Sequence, residues 1–190
     1  MLKALLIIFV QILISSCDDS FTSANLSLIP VNSAISENIG FLELGKYRGF
    51  TDDGAEYQKT YFVSKYSRPS WAASRSFCNS FNMEHLTIET KAEEQAYLNL
   101  LETNIYLRRF SGFYIWLDGL VEDPKSKTEW FWAKTGIKVS FPITWHPIEP
   151  NNEYCLVIFR HTINEKFLFG TGECNTKRWS GCQKIDLLVP

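Results

Sequence analysis

Residues 146–155 read HPIEPNNEYC. They place a carboxylate and a carboxamide, Glu149 and Asn151, on either side of one proline, and a second carboxylate, Glu153, just before a cysteine. The stretch belongs to a longer segment, 136–154, that is predicted to be mostly loop. A loop of this length inside a compact domain is usually functional or held by a ligand. This segment is therefore the first candidate for a binding site.

The sequence on both sides of this loop predicts an α+β fold. One helix is predicted from Trp71 to Phe81, with Ser70 as its cap, and a second follows the capping box of Thr90 and Glu93. Short aromatic or β-branched runs predict strands: HLTIE (85–89), FYIWLDGL (113–120), TEWFWA (128–133), YCLVIFR (154–160), KFLF (166–169) and IDLLV (185–189). Helices first and strands afterwards favour α+β over a repeating βαβ sheet.

The first residues are typical of a secretory signal peptide. Lys3 precedes an apolar run over 4–14 that is too short to span a bilayer, and small residues follow it. Removal of residues 1–17 is predicted to leave a secreted, extracellular protein without membrane insertion. A buried helix is the alternative for this run. The ISSC sequence at 14–17 also resembles a lipoprotein cleavage box that would make Cys17 a lipid anchor.

Residues 18–45 show no helical or alternating periodicity and are predicted to be a tail or linker. They contain the chain's only glycosylation sequon, which makes Asn25 the predicted glycosylation site. The folded domain is predicted over 46–190. Composition supports a packed core, since 45% of the 190 residues are hydrophobic and 15% aromatic. The net charge of −2, with scattered cations, argues against nucleic acid as a partner.

Signal removal leaves an even set of cysteines, which suits an oxidising compartment. These are Cys78, Cys155, Cys174 and Cys182. Four cysteines permit three pairings, and their spacing does not choose among them. Free thiols in a cytosolic protein would conflict with the signal peptide. Zinc is disfavoured because the chain has neither a C-x-x-C motif nor a nearby histidine pair.

Taken together, these features resemble the C-type lectin-like domain over about 46–188, in the style of small secreted insect lectins. The resemblance rests on the order and spacing of motifs along the chain. These are Trp71, Ala72 and Cys78 on the first helix, FYIWLDGL near the family's Trp-Ile-Gly-Leu strand, Trp132, Gly136 and Trp145 leading into Glu149-Pro150-Asn151, and the closing cysteines Cys155, Cys174 and Cys182. The resemblance implies the disulfides Cys78–Cys182 and Cys155–Cys174.

The resemblance also implies a site for calcium and sugar. A cis bond before Pro150 would turn Glu149 and Asn151 to the same side, where each gives one oxygen to calcium, and Glu153 would be a further residue of both the calcium site and the sugar site. The second Glu149 oxygen would accept a hydrogen bond from a sugar hydroxyl, and the Asn151 amide would donate one. In this family Glu-Pro-Asn goes with mannose-type sugars, so mannose-type glycans or glycoproteins are the implied partners.

The chain departs from the family at two further calcium ligands. The family's Trp-Asn-Asp triplet is Phe169-Gly170-Thr171 here, so Gly170 and Thr171 replace the asparagine and the aspartate. The loop before Cys155 is shorter than usual, and the stretch after it is longer. That longer stretch could supply replacement oxygens from Asn164, Glu165 or Glu173. A degraded calcium site is therefore expected.

Two functions remain open from the sequence. One is a secreted, calcium-dependent lectin of mannose-type specificity. The other is a calcium-independent interaction module on the same fold that binds a protein or glycan, with Trp145 or Tyr154 as contacts. An enzyme is not expected. His85, His146 and His161 could pair with a nucleophilic cysteine, but disulfides leave no thiolate for that chemistry.

Overall fold

A computed structural model describes residues 40–51, 53–122, 129–151 and 153–188. The predicted signal peptide at 1–17, the Asn25 sequon and the tail up to residue 39 lie outside the described residues. In the part of the chain that is described, no helix is both long and apolar enough to cross a membrane.

The described residues form two helices, a short 3-10 turn and nine strands. The helices are α1 Trp71–Asn79 and α2 Lys91–Thr103, and the 3-10 turn is Leu107–Arg109. The strands are β1 Phe41–Phe50, β2 Glu56–Ser64, β3 Glu84–His85, β4 Phe113–Leu120, β5 Phe131–Trp132, β6 Ile137–Lys138, β7 Cys155–Arg160, β8 Leu168–Gly172 and β9 Trp179–Leu187. This confirms the predicted α+β class.

The strands pair in the order β1-β2-β9-β4-β5-β6, and two branches complete the sheet. β3 pairs with β9, while β7 pairs with β4 and carries β8 on its other side. Apart from the parallel contact of β4 with β9, the pairings are antiparallel. β8 is therefore an edge strand, whose outer backbone groups need partners from elsewhere.

The helix caps differ in part from the prediction. Ser70 lies at the N-cap of α1, but its side chain makes no capping hydrogen bond. Thr90 caps α2 as predicted, since its Oγ1 accepts from the Glu93 N–H at 3.1 Å. One oxygen of the Glu93 carboxylate, Oε1, meets Lys59 and Tyr61 in the core, at 2.8 and 2.7 Å. The other, Oε2, accepts from the Glu89 N–H at 2.8 Å, one residue before the cap, so the second half of the predicted capping box is shifted by one residue.

Two predicted boundaries were wrong. The domain was expected to start at residue 46, but β1 begins at Phe41, which is 1% exposed. Phe41 packs against the rings of Phe62, Phe77 and Phe81, so the end of the predicted tail belongs to the core. Of the strand expected at 85–89, only His85 lies in a strand, the two-residue β3.

Both implied disulfides are confirmed. Cys78–Cys182 joins α1 to β9 across a sequence separation of 104 residues, and Cys155–Cys174 joins β7 to the segment after β8 across 19. The second disulfide closes the β7–β8 hairpin beside the long loop. Both bridges restrict the unfolded chain and stabilise the fold.

Candidate functional site

The long loop runs along the outer edge of β8. The Phe169 N–H donates to the Thr144 carbonyl at 3.1 Å, and the His146 N–H donates to the Phe169 carbonyl at 2.8 Å. Trp145 is partly buried, with its ring centroid 5.5 Å from that of Trp130. Backbone pairing and this tryptophan therefore fix the loop just before residues 149–151.

Glu149 and Asn151 converge on each other at the end of this pairing. The Glu149–Pro150 peptide bond is cis. The Asn151 Nδ2 donates to Glu149 Oε1 at 2.8 Å, and the Asn151 backbone N–H donates to Glu149 Oε2, also at 2.8 Å. The two side chains that the sequence singled out thus form one hydrogen-bonded unit.

Thr171 completes this unit from β8. Its hydroxyl donates to Glu149 Oε2 at 2.6 Å, and its backbone N–H reaches the same oxygen at 3.1 Å. The Thr171 oxygen in turn accepts from the Asn151 N–H at 3.1 Å. The Glu149 carboxylate therefore caps the free edge of β8 and receives donors at both of its oxygens. We call Glu149, Asn151 and Thr171 the 149–171 cluster.

This geometry does not fit a calcium ion held in the manner that the resemblance implied. Calcium needs six to eight converging oxygens, whereas Asn151 turns a donor toward Glu149. Thr171 is 5% exposed, and its hydroxyl donates to the same carboxylate. Within the described ranges, no three His, Cys, Asp or Glu side chains gather as a metal-binding group. Calcium at Glu149, Asn151 and Glu153 stays a prediction.

Gly170 shows why the family's asparagine has no place here. A Cβ at this position would lie 2.2 Å from Cε1 of Phe159 and 3.0 Å from Cγ of Glu149. The Phe159 ring stacks on Tyr114 at 5.3 Å and contacts His146 and His161. An aromatic layer thus fills the space that a side chain at position 170 would need.

Glu153 lies near Glu149 without joining the cluster. Burial and the Glu149 carboxylate raise the pKa of Glu153 above its ordinary value, and Arg178 opposes this shift. Burial also lowers the pKa of the Arg178 guanidinium, which the fields of Tyr114, Glu153 and Glu149 counteract. A cation from the protein itself therefore lies close to the acidic pair.

The residues suggested as replacement calcium ligands show no arrangement that points to a metal. Glu165 accepts from the backbone N–H groups of His161 and Thr162, at 3.1 and 3.2 Å, and so stabilises the turn between β7 and β8. Asn164 and Glu173 are exposed. Tyr154, suggested as a contact residue, is 51% exposed.

His85 does not meet a cysteine but lies in a buried polar chain. Its ring nitrogens are 3.0 Å from Ser74 Oγ and 3.2 Å from Asp118 Oδ1. Arg75 Nε is also 3.0 Å from Asp118 Oδ1. This order resembles a catalytic relay, yet Ser74 is fully buried and cannot meet a substrate. This row of hydrogen-bonded side chains links α1, β3 and β4.

Two residues in or beside the 149–171 cluster were not predicted from the sequence. Thr171 was noted only as the loss of a ligand, although it donates to Glu149. Arg178 carried no sequence signal, because its neighbours on β4 lie more than 60 positions away along the chain. Only the fold brings these residues together.

The sequence matches no family model and no curated protein, whereas solved structures match the fold. The C-type lectin domain of murine dendritic cell inhibitory receptor 2, in complex with an N-glycan, is 22% identical with a TM-score of 0.52, covering 67% of this chain and 91% of that one. The Ca²⁺-independent C-type lectin SPL-2 from Saxidomus purpuratus is 20% identical with a TM-score of 0.52, covering 66% and 86%. SPL-1 in its GlcNAc complex is 22% identical with a TM-score of 0.51, covering 66% and 87%.

These likenesses and the two disulfides define the class of protein: the chain has the C-type lectin-like fold. Within that class, this chain is a two-disulfide domain whose 149–171 cluster is closed by hydrogen bonds among its own side chains.

Proposed function

We propose that this chain is a secreted C-type lectin-like domain that binds glycans without calcium. The observation that carries the proposal is the occupation of both Glu149 oxygens by donors from Asn151 and Thr171. In a calcium site, a cation would balance this carboxylate and leave the amide free for a sugar. Here N–H and O–H groups of the protein stabilise the negative charge of Glu149, and no ion is needed to hold the loop.

Two of the structural neighbours support a glycan as the ligand. One was solved with an N-glycan and one with GlcNAc, and a third is itself a Ca²⁺-independent lectin. The shared fold therefore accommodates sugar binding, including binding without the metal. A binding role is also favoured over catalysis, because all cysteines among the described residues are in disulfides and Ser74 is buried.

The proposal is tested by passing the secreted protein over immobilised mannose, GlcNAc and galactose with calcium or with EDTA. We expect retention on at least one sugar to be the same in both buffers. Retention that disappears in EDTA would contradict calcium independence. Absence of retention on every sugar would contradict glycan binding, provided that circular dichroism shows a folded domain.

The calcium-dependent, mannose-type lectin is the second candidate. The specific observation in its favour is that Glu149 and Asn151 converge across the cis Glu149–Pro150 bond. For this candidate, calcium would have to displace the Asn151 amide from Glu149. Retention on mannose should then require calcium, and Glu149→Gln should abolish it.

A further inference from the structure

A cavity opens at the end of the sheet where β4 and β9 begin. Its wall includes three buried side chains, Val63 near the end of β2, Leu107 in the 3-10 turn and Phe113 at the start of β4. Trp179, the first residue of β9, also lines it and stacks on Phe113 with ring centroids 4.1 Å apart. About 70 Å³ is open to water-sized molecules, less than the ~150 Å³ of a cavity that takes up benzene. The cavity therefore has room for the end of one aliphatic side chain.

Arg68 lies at the border of this cavity and has no acidic partner. Its guanidinium carbon is 3.7 Å from the centroid of the Trp179 ring, so the indole holds the cation in place. The side chain is exposed, and it forms no hydrogen bond or ion pair with a described residue. None of the described residues that line the cavity is acidic. The guanidinium donors are therefore open to an anion from outside the domain.

Arg160 places a second positive charge behind the 3-10 turn. This arginine is 2% exposed, and its Nη2 donates to the carbonyls of Leu107 and Phe110 at 2.7 and 3.0 Å. No described carboxylate forms an ion pair with it. Arg160 thus fixes two residues that line the cavity, and its buried charge makes the potential at the cavity more positive.

The exposed side chains around the cavity have the composition of a protein interface. The 3-10 turn carries Arg108 and Arg109, which are both exposed. Tyr106, which lines the cavity, is 43% exposed, and Tyr66, in the loop that carries Arg68, is 82% exposed. Tyrosine and arginine are enriched where proteins meet and contribute much of the binding energy there. We call the cavity, together with the three exposed arginines, the 68–113 surface.

We propose that the 68–113 surface binds an acidic segment of a partner protein. One aliphatic side chain of that segment enters the cavity, where the apolar wall removes it from water. Its carboxylates pair with Arg68 and with the arginines of the turn, since a guanidinium takes a carboxylate through two parallel hydrogen bonds. A sulfated glycan would supply the charge but no aliphatic group for the cavity, so a peptide segment fits both features better.

This surface is separate from the 149–171 cluster. Phe113 pairs with Arg160, the last residue of β7, whereas Thr171 pairs with Leu156 near the start of that strand. Protein binding at the 68–113 surface therefore goes beyond the proposed glycan binding and does not depend on it. Each of the two can fail while the other stands.

The first test titrates the unaltered protein with three peptides of equal length and follows it by NMR. The sequences are Asp-Glu-Leu-Glu-Asp, Asp-Glu-Ser-Glu-Asp and Lys-Arg-Leu-Arg-Lys, all with blocked ends. We expect the acidic leucine peptide to shift the amide resonances of residues 106–113 and to bind at least tenfold more tightly than the other two. No shift there up to about 5 mM peptide would overturn the proposal. Equal affinity of the two acidic peptides would overturn the role of the cavity.

The second test compares Arg68→Glu with Arg48→Glu. Arg48 is a matched control, since it is an exposed arginine on β1 that makes only a 3.8 Å ion pair with Glu56. We expect Arg68→Glu to weaken the acidic leucine peptide at least tenfold and Arg48→Glu to leave it unchanged, with equal thermal midpoints. Equal weakening by both would show that only net charge matters and would overturn the assignment of Arg68.

Competition distinguishes the class of partner. Heparin fragments, or vesicles of phosphatidylserine and phosphatidylcholine, are added to the complex of the unaltered protein with the acidic leucine peptide. We expect neither to displace the peptide at equal charge concentration. Displacement by either would overturn the choice of a protein partner. Glycan-array binding in EDTA should be the same with and without the peptide, and competition between them would contradict the separation of the two surfaces.

Discussion

At the scale of single residues, the site is decided by what stands at 170 and 171. A glycine and a threonine replace an amide and a carboxylate, and Thr171 supplies a donor where an acceptor was expected. The loss of two ligands could be predicted from the sequence. The new hydrogen bond could not, because Glu149 and Thr171 lie 22 positions apart and only the pairing along β8 joins them.

Gly170→Ala should destabilise the domain. Its Cβ would overlap the Phe159 ring at 2.2 Å, and overpacking of this kind costs typically about 1–3 kcal/mol. Chemical denaturation would measure the change in the free energy of unfolding. Gly40→Ala is the control, since nothing lies within 4 Å of its Cβ position. Equal stability of the two variants would mean that the aromatic layer does not fill this space.

Stability should fall as the pH drops below about 6.5, the ordinary pKa of histidine. Burial lowers the pKa of His85, and the neighbouring Asp118 only partly opposes this. The unfolded chain therefore binds a proton that the folded one resists, at a slope of up to ~1.4 kcal/mol per pH unit. His85→Gln should flatten the profile between pH 7.5 and 5 in denaturation experiments. A flat profile in the unaltered protein would show that burial of His85 does not couple folding to protonation.

At the scale of elements, α2 is held against β2 by a buried ion pair. Lys59 Nζ is 2.8 Å from Glu93 Oε1, and both side chains are at most 1% exposed. The position of α2 was predictable from its capping box and apolar spacing. The route of the Glu93 carboxylate into the core was not, because Lys59 lies on a distant strand and lysines are usually exposed.

Lys59→Met should lower the free energy of unfolding by about 3–5 kcal/mol, because it leaves the Glu93 carboxylate buried and unpaired. Lys138→Met is the matched control. It breaks an exposed pair with Glu129 at 2.7 Å and should cost less than about 1 kcal/mol. A small change in the free energy of unfolding of Lys59→Met would show that other groups stabilise the Glu93 carboxylate.

At the scale of the whole molecule, two disulfides and one irregular loop define the domain. The order of tryptophans and cysteines along the chain was sufficient to predict the fold, since each marks a fixed point of the architecture. The domain's start was missed because Phe41 joins the core through the rings of Phe62, Phe77 and Phe81, which lie more than 20 positions away along the chain.

Removal of either disulfide should destabilise the domain, and removal of the bridge that closes the longer loop should destabilise it more. Loop-closure entropy assigns ~3 kcal/mol to the bridge spanning 19 residues and ~4.7 kcal/mol to the one spanning 104. Double alanine variants at Cys155/Cys174 and at Cys78/Cys182, compared by denaturation, would measure both. The reverse order would show that strain or residual structure outweighs chain entropy.

We propose that donors of the protein, and not a cation, satisfy the Glu149 carboxylate. Thermal unfolding of the unaltered protein in 10 mM calcium and in EDTA tests this proposal. Equal midpoints are expected, whereas binding at a Kd of 1 mM would add about 1.4 kcal/mol at that concentration. A midpoint that rises with calcium, and no longer rises in Glu149→Gln, would show that calcium binds at Glu149.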